Sequence, residues 1–134
     1  MSKYLLYTDG AARGNPGPAG AGAFICKPDG SAVAEISKYL GETTNNVAEY
    51  RALLEGLKKL VAMGAGDVEI LADSQLMVRQ IQGSYRVKHP NLKPLFEEAL
   101  ALLKKIRHYS IRHIEREKNG EADRLANEAI DNHY

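Results

Sequence analysis

Lys3-Tyr4-Leu5-Leu6-Tyr7-Thr8-Asp9 and Val68-Glu69-Ile70-Leu71-Ala72-Asp73 decide the architecture. Each is a short run of strand-forming residues, and each ends on an aspartate. A carboxylate at the end of a buried strand is costly unless it is paired or holds a cation. Between the two runs lie more strand signals and one long helical pattern, so the second strand is reached through a helix. That connection makes the two strands parallel neighbours, with both aspartates at the same edge.

Working outward, the first strand (Lys3–Asp9) leads into a glycine- and proline-rich turn over Gly10 to Gly20. A second strand covers Gly22–Lys27, Pro28-Asp29-Gly30 is a turn, and a third strand spans Ser31–Leu40. Asn45 is the expected cap of a helix running to Met63, with Leu53, Leu57, Leu60 and Val61 as its apolar stripe and Gly64 and Gly66 as its stop. Glu49 stands four residues before Leu53 and so shares the stripe's face. After the strand ending at Asp73 come a short helix (Ser74–Gln82), a loop (Gly83–Pro90) and a helix (Asn91–Arg107). A fifth strand spans Tyr109–Glu115. The loop Arg116–Gly120 opens a last helix that runs to Asn132, with Ala122, Leu125, Ala126, Ala129 and Ile130 as its apolar face. The pattern βββαβααβα predicts an α/β fold: a mixed sheet with helices packed on it, in one domain over residues 1–134.

Composition removes several classes. No apolar run is long enough to span a membrane, and the N-terminus lacks the layout of a signal peptide. The one cysteine, Cys26, lies in an apolar run, is expected in the core and fits a reducing cytoplasm. No P-loop, zinc spacing or serine-nucleophile elbow occurs, and the four histidines are scattered, His108 and His113 being expected to serve the fifth strand structurally. The formal net charge of +1 is uninformative, but its placement is not. Between Asp73 and Glu97 there is no acidic residue, while Arg79, Arg86, Lys88, His89 and Lys93 fall there. That stretch is either a solvated basic face or a wall for phosphates.

Asp9, Glu49, Asp73 and Asp123 come from separate segments, and in an α/β sheet the site lies beyond the carboxyl ends of the parallel strands. Carboxylates suit hard cations such as Mg²⁺. A pair of such ions activates water and stabilises a leaving oxygen in displacement at phosphorus. Each residue also has a plainer reading. Asp9-Gly10 is a turn signal, Asp73 can cap the following helix, and Asp123 sits among helix-surface acids. Glu49 on an apolar stripe is harder to explain without a partner. The four together predict a metal-dependent enzyme acting on phosphates.

These residues stand in motifs that resemble type I ribonuclease H. Thr8-Asp9-Gly10-Ala11 with Gly14-Asn15-Pro16-Gly17-Pro18-Ala19-Gly20 resembles the family's opening. Thr43-Thr44-Asn45-Asn46-Val47-Ala48-Glu49-Tyr50, Asp73-Ser74-Gln75 and Asn119-Gly120-Glu121-Ala122-Asp123 follow in the family's order and cover nearly the whole chain. The resemblance implies a five-stranded mixed sheet ordered 3-2-1-4-5. It implies an endonuclease that hydrolyses the RNA strand of RNA/DNA hybrids with two Mg²⁺ ions, Mn²⁺ serving as a substitute. Asp9, Glu49, Asp73 and Asp123 would be the catalytic, metal-holding acids, and the products would carry 5′-phosphate and 3′-hydroxyl ends. Asn15, Asn45 and Gln75 would touch the hybrid's minor groove, and Thr44 a DNA-strand phosphate.

Two departures qualify that pattern. The family's basic protrusion with tryptophan is missing; Tyr85, Arg86 and Lys88 are auxiliary candidates for its role, Tyr85 either stacking on substrate or packing in the core. The loop before Asp123 has no histidine, which leaves Arg116 and Glu117 as auxiliary candidates there. The competing readings are a hybrid-binding module without catalysis, the released ribonuclease domain of a reverse transcriptase, and a phosphatase for small esters. The intact set of acids and the start at Met1 favour a stand-alone nuclease, which is expected to be monomeric and cytoplasmic.

Overall fold

The computed structural model describes residues 3–133. Its strands are β1 (Lys3–Ala12), β2 (Gly17–Cys26), β3 (Ala32–Thr43), β4 (Asp67–Ala72) and β5 (His108–His113). Its helices are α1 (Asn45–Ala62), α2 (Gln75–Ile81), α3 (Lys93–Leu103) and α4 (Gly120–Asp131). The five strands form one sheet in the order β3-β2-β1-β4-β5. β1 is antiparallel to β2 and parallel to β4, and β4 is parallel to β5. The sheet is the mixed one expected, with the three parallel strands pointing their carboxyl ends to one edge.

α1 packs on one face of the sheet with α3 beyond it, and α4 packs on the other face against β1, β2 and β3. The main core lies between the sheet and α1. Leu6, Ile25 and Ile70 meet Leu53, Leu57 and Leu60 there, all fully buried. Each such side chain is worth about 1.5–3 kcal/mol of transfer free energy, enough to dictate which face α1 presents. Ala122, Leu125, Ala126, Ala129 and Ile130 bury the opposite helix, as its period predicts.

The glycine-rich segment differs from expectation. It is not one long turn, because β1 continues to Ala12 and β2 begins at Gly17. Gly10, inside that segment, and Gly22, just beyond it, are there for close approach. A Cβ on Gly10 would lie 2.3 Å from the backbone of Ala48 and Glu49, and one on Gly22 would lie 2.2 Å from the Ala122 carbonyl oxygen. Both faces of the sheet are therefore pared to backbone where α1 and α4 press against it.

Two helix ends also differ. Thr44, not Asn45, caps α1, its hydroxyl accepting from the Val47 N–H at 3.3 Å. α3 is shorter than its pattern. After Leu103 the chain tightens into i→i+3 bonds at Lys105 and Ile106, which turns Ile106 into the core.

Candidate active site

β1 delivers Asp9 and α1 delivers Glu49, and the missing side chain of Gly10 lets them meet. Because α1 can approach Gly10, the Glu49 Oε1 atom accepts the Gly10 N–H at 3.0 Å. The next residue, Tyr50, donates its buried hydroxyl to Gln80 Oε1 at 2.6 Å and ties α1 to α2. Asp73 follows the last residue of β4. It does not cap α2; Ser74 does, with its hydroxyl accepting from Met77 N–H at 3.2 Å. The Asp73 carboxylate is thus not consumed by the helix. Nor is Asp9 a turn residue, since it pairs with Gly22 within the sheet.

Asp9, Glu49 and Asp73 each offer an oxygen within 4.8 Å of the others. Asp9 is 5% exposed and Glu49 3%. Glu49 Oε2 is buried and has no hydrogen-bonding partner. Burial, reinforced by the Glu49 charge and then by Asp73 and Asp123, pushes the Asp9 carboxyl far above the usual carboxylate range. Burial likewise raises Glu49, against the lowering effect of Asp9 and the Gly10 N–H. Two buried acids side by side with an orphaned oxygen are unstable as bare charges, and each such charge costs several kcal/mol, of order. A divalent cation cancels that cost with the oxygen ligands it prefers. The donor set therefore fits the hard cation that the sequence implies.

α4 brings the fourth acid. Asp123 lines the same cleft but is more open, its side chain 37% exposed. Its Oδ1 lies 3.3 Å from Asn127 Nδ2 and 4.0 Å from Arg116 Nη2. The start of α4 is held to β1 by Asn119, which is 1% exposed and donates through Nδ2 to the Thr8 carbonyl at 2.9 Å. The segment before it forms a 3₁₀ turn over Arg116–Lys118, and both Arg116 and Glu117 face the cleft.

The cleft measures about 590 Å³ and is open along one side. Asn45 lines it, and Asn15 reaches the start of α1, its Oδ1 accepting the Asn45 N–H at 3.0 Å. Thr44 caps that helix, and Gln75 is the exposed first residue of α2. Tyr85, Arg86 and Lys88 do not line the acidic cleft. They lie beyond α2 on a separate exposed surface with Leu76. Tyr85 is 49% exposed, so it is not a core residue, and the Arg79 guanidinium sits 5.4 Å from its ring centre.

Four polar or charged cleft residues were not among the expected site residues: Arg13, Glu115 and Asn127, which drew no reading, and His113, which was read as structural. His113 is the last residue of β5 and pairs with Ala72, immediately before Asp73. The rule that singled out Asp9 and Asp73, carboxyl ends of parallel strands, applies equally to His113. Asn127 lies four residues after Asp123 on the same helix face.

The chain matches the reverse transcriptase-like family model over residues 7–129. It is 34% identical to a ribonuclease H of Erythrobacter litoralis, over 98% of each chain. It is 46% identical to a bifunctional protein of Mycobacterium tuberculosis over 96% of its own length but 36% of that protein, so it spans about a third of the first curated relatives it matches. Among solved structures, a ribonuclease H1 isolated from compost, captured with an RNA/DNA hybrid, superposes with a TM-score of 0.92 at 47% identity, covering 97% of this chain and 98% of that one. Among the described residues, no helix is long and apolar enough to cross a membrane.

Proposed function

The chain belongs to the ribonuclease H family, and on that premise we propose that it hydrolyses the RNA strand of RNA/DNA hybrids, leaving 5′-phosphate and 3′-hydroxyl ends. The observation that carries this reading is the meeting of Asp9, Glu49 and Asp73 at one sheet edge, with a buried Glu49 oxygen that lacks a partner. These three acids with Asp123 would hold two Mg²⁺ ions, or Mn²⁺ in their place. When bound, such cations acidify water and neutralise the negative charge that gathers at phosphorus.

The protein's own groups do the positioning. The Gly10 N–H fixes one oxygen of Glu49 and leaves the other without a hydrogen-bonding partner. Asn15 commits its carbonyl oxygen to the Asn45 N–H, which leaves its amide NH₂ to donate outward. Minor-groove edges and 2′-hydroxyls offer acceptors to such a donor, and an A-like hybrid presents them in a wide, shallow groove. Asn45 lines the cleft beside it, and exposed Gln75 stands two residues after Asp73 to extend the same contact. Thr44 stands at the start of α1, the positive end of a helix dipole, which suits contact with a DNA-strand phosphate. Tyr85, Arg86 and Lys88 supply an aromatic and basic flank for the duplex backbone. Arg116 and Glu117 border the cleft on the α4 side.

The test is a labelled RNA/DNA hybrid incubated with the protein and Mg²⁺ or Mn²⁺, beside duplex DNA, duplex RNA and single strands. Metal-dependent cuts confined to RNA in the hybrid are expected. Absence of such cuts, or their persistence in Asp73→Asn, would overturn the reading.

A further inference from the structure

Asp123 lines the same cleft but stands outside the group of Asp9, Glu49 and Asp73 whose oxygens lie within 4.8 Å of one another. Its side chain is 37% exposed, and it projects from a helix surface. A half-exposed aspartate samples several rotamers unless something holds it, and lost rotamer freedom would then be charged against cation binding. The structure contains a device at that point. Asn127 Nδ2 donates both to the Asp123 carbonyl (2.9 Å) and to its carboxylate Oδ1 (3.3 Å). At its other end, Asn127 Oδ1 accepts from Arg13 Nη2 at 3.3 Å. Arg13 is braced in turn by Asp131 through Nη1 at 2.7 Å.

The chemistry of the amide makes this chain directional. An asparagine has one accepting end and one donating end. A guanidinium has no acceptor, so Arg13 can bind only the Oδ1 end, which leaves the NH₂ end facing Asp123. The opposite orientation would set Oδ1 against a carbonyl and a carboxylate, and NH₂ against a cation. Arg13 lies just past the end of β1, four residues after Asp9. The chain Arg13–Asn127–Asp123 therefore links the strand that carries the buried acid to the helix that carries the exposed one.

We propose that Asn127, oriented by Arg13, is a positioning residue that presets the Asp123 carboxylate for divalent-cation binding. The inference rests on the nuclease reading for its purpose, but its test reads the metal alone. Groups that orient metal-holding carboxylates typically change affinity or activity about 10- to 100-fold when removed. Because Asn127 is half-buried and its Asp123 bond is long, the lower end applies. Mn²⁺ titration by calorimetry should show binding about 5- to 10-fold weaker in Asn127→Ala, with circular dichroism unchanged. Arg13→Gln, on an exposed side chain, should weaken it about 2- to 3-fold, and Arg13→Lys should recover part of that loss. In the Asp123→Asn background, Asn127→Ala should cost nothing further, since its route to the metal is gone. The Mg²⁺ concentration for half-maximal hybrid cleavage should rise in parallel.

Equal Mn²⁺ affinity in Asn127→Ala and the parent would overturn the proposal. So would a full second loss in the Asp123→Asn background. If Asn127→Ala unfolds, Arg13→Gln decides alone, and unchanged Mn²⁺ affinity there overturns the orienting role. Normal Mn²⁺ effects without hybrid cleavage would contradict the nuclease reading while leaving this one standing.

Discussion

The two sides of the cleft are built on different physics. On one side Asp9, Glu49 and Asp73 are set by the sheet and α1, with Asp9 and Glu49 almost fully buried and their oxygens within 4.8 Å of Asp73. On the other side Asp123 rides on α4, partly in solvent, steered by Asn127 and approached by the exposed Arg116. Asp9 and Glu49 are fixed because moving either would disturb packed backbone at Gly10. The second side is adjustable because polar contacts near water are individually weak. Buried Asp9 and Glu49 with half-buried Asp73 thus concentrate the negative charge that a cation would neutralise, whereas the α4 side is held by contacts near water.

That contrast can be broken by mutation, and the largest effect should come from the trio. Asp73→Asn is expected to lower hybrid cleavage on the order of a thousandfold or more, whereas Asp123→Asn should lose about 10- to 100-fold. Equal losses in a steady-state assay would mean that the two sides are not distinct. A smaller effect should separate fixing α4 from chemistry. Asn119→Ala leaves the Thr8 carbonyl without its donor and should destabilise the fold by about 1–3 kcal/mol, read by denaturant unfolding. Its Mn²⁺ affinity should change less than that of Asn127→Ala.

The pH response of the metal-free protein offers a third test. Asp9 and Glu49 have carboxyl groups raised by burial, so folding favours their protonated forms. The stability that this confers is fully present below the ordinary carboxylate range, near pH 4, and is lost as pH rises through the raised values. The melting temperature in EDTA should therefore fall from pH 5 to pH 9, and Mg²⁺ should restore more of it at pH 9 than at pH 5. Asp9→Asn should flatten the fall and raise the metal-free melting temperature by about 5 °C. A metal-free protein that gains stability with pH would contradict the costly burial of charge assigned to Asp9 and Glu49. The smallest effect belongs to the basic flank: replacing Arg86 and Lys88 with alanine should raise KM about threefold at low salt, leave kcat alone, and lose its effect at high salt.

How much of this was legible in the chain follows the same divide. Asp9 and Asp73 announced themselves because apolar runs of strand length end on them. Glu49 did so because it interrupts an apolar helix face. These are local patterns, and the parallel placement of the first, fourth and fifth strands followed from helix-borne connections, while the full strand order rested on the family resemblance. Gly10 was misread as turn material, because the reason for it, an opposing helix backbone, exists only in three dimensions. Thr44 and Asn45 are both good cap residues, and which one caps depends on where β3 delivers the chain. Tyr85 read more readily as a core residue than as a substrate contact; its exposure follows from the turn after α2, which local propensity does not specify. His113 and Asn127 were legible in principle, one from its strand end and the other from its helical spacing to Asp123.

The central claim is that the acids at the carboxyl edge of β1 and β4, with Glu49 from α1, form a divalent-cation site. Calorimetric titration of the metal-free protein with Mn²⁺, beside Glu49→Gln, tests it without any substrate. Saturable binding in the parent that is lost or weakened at least tenfold in Glu49→Gln is the expected result. Equal binding in both proteins, or none in either, would contradict it.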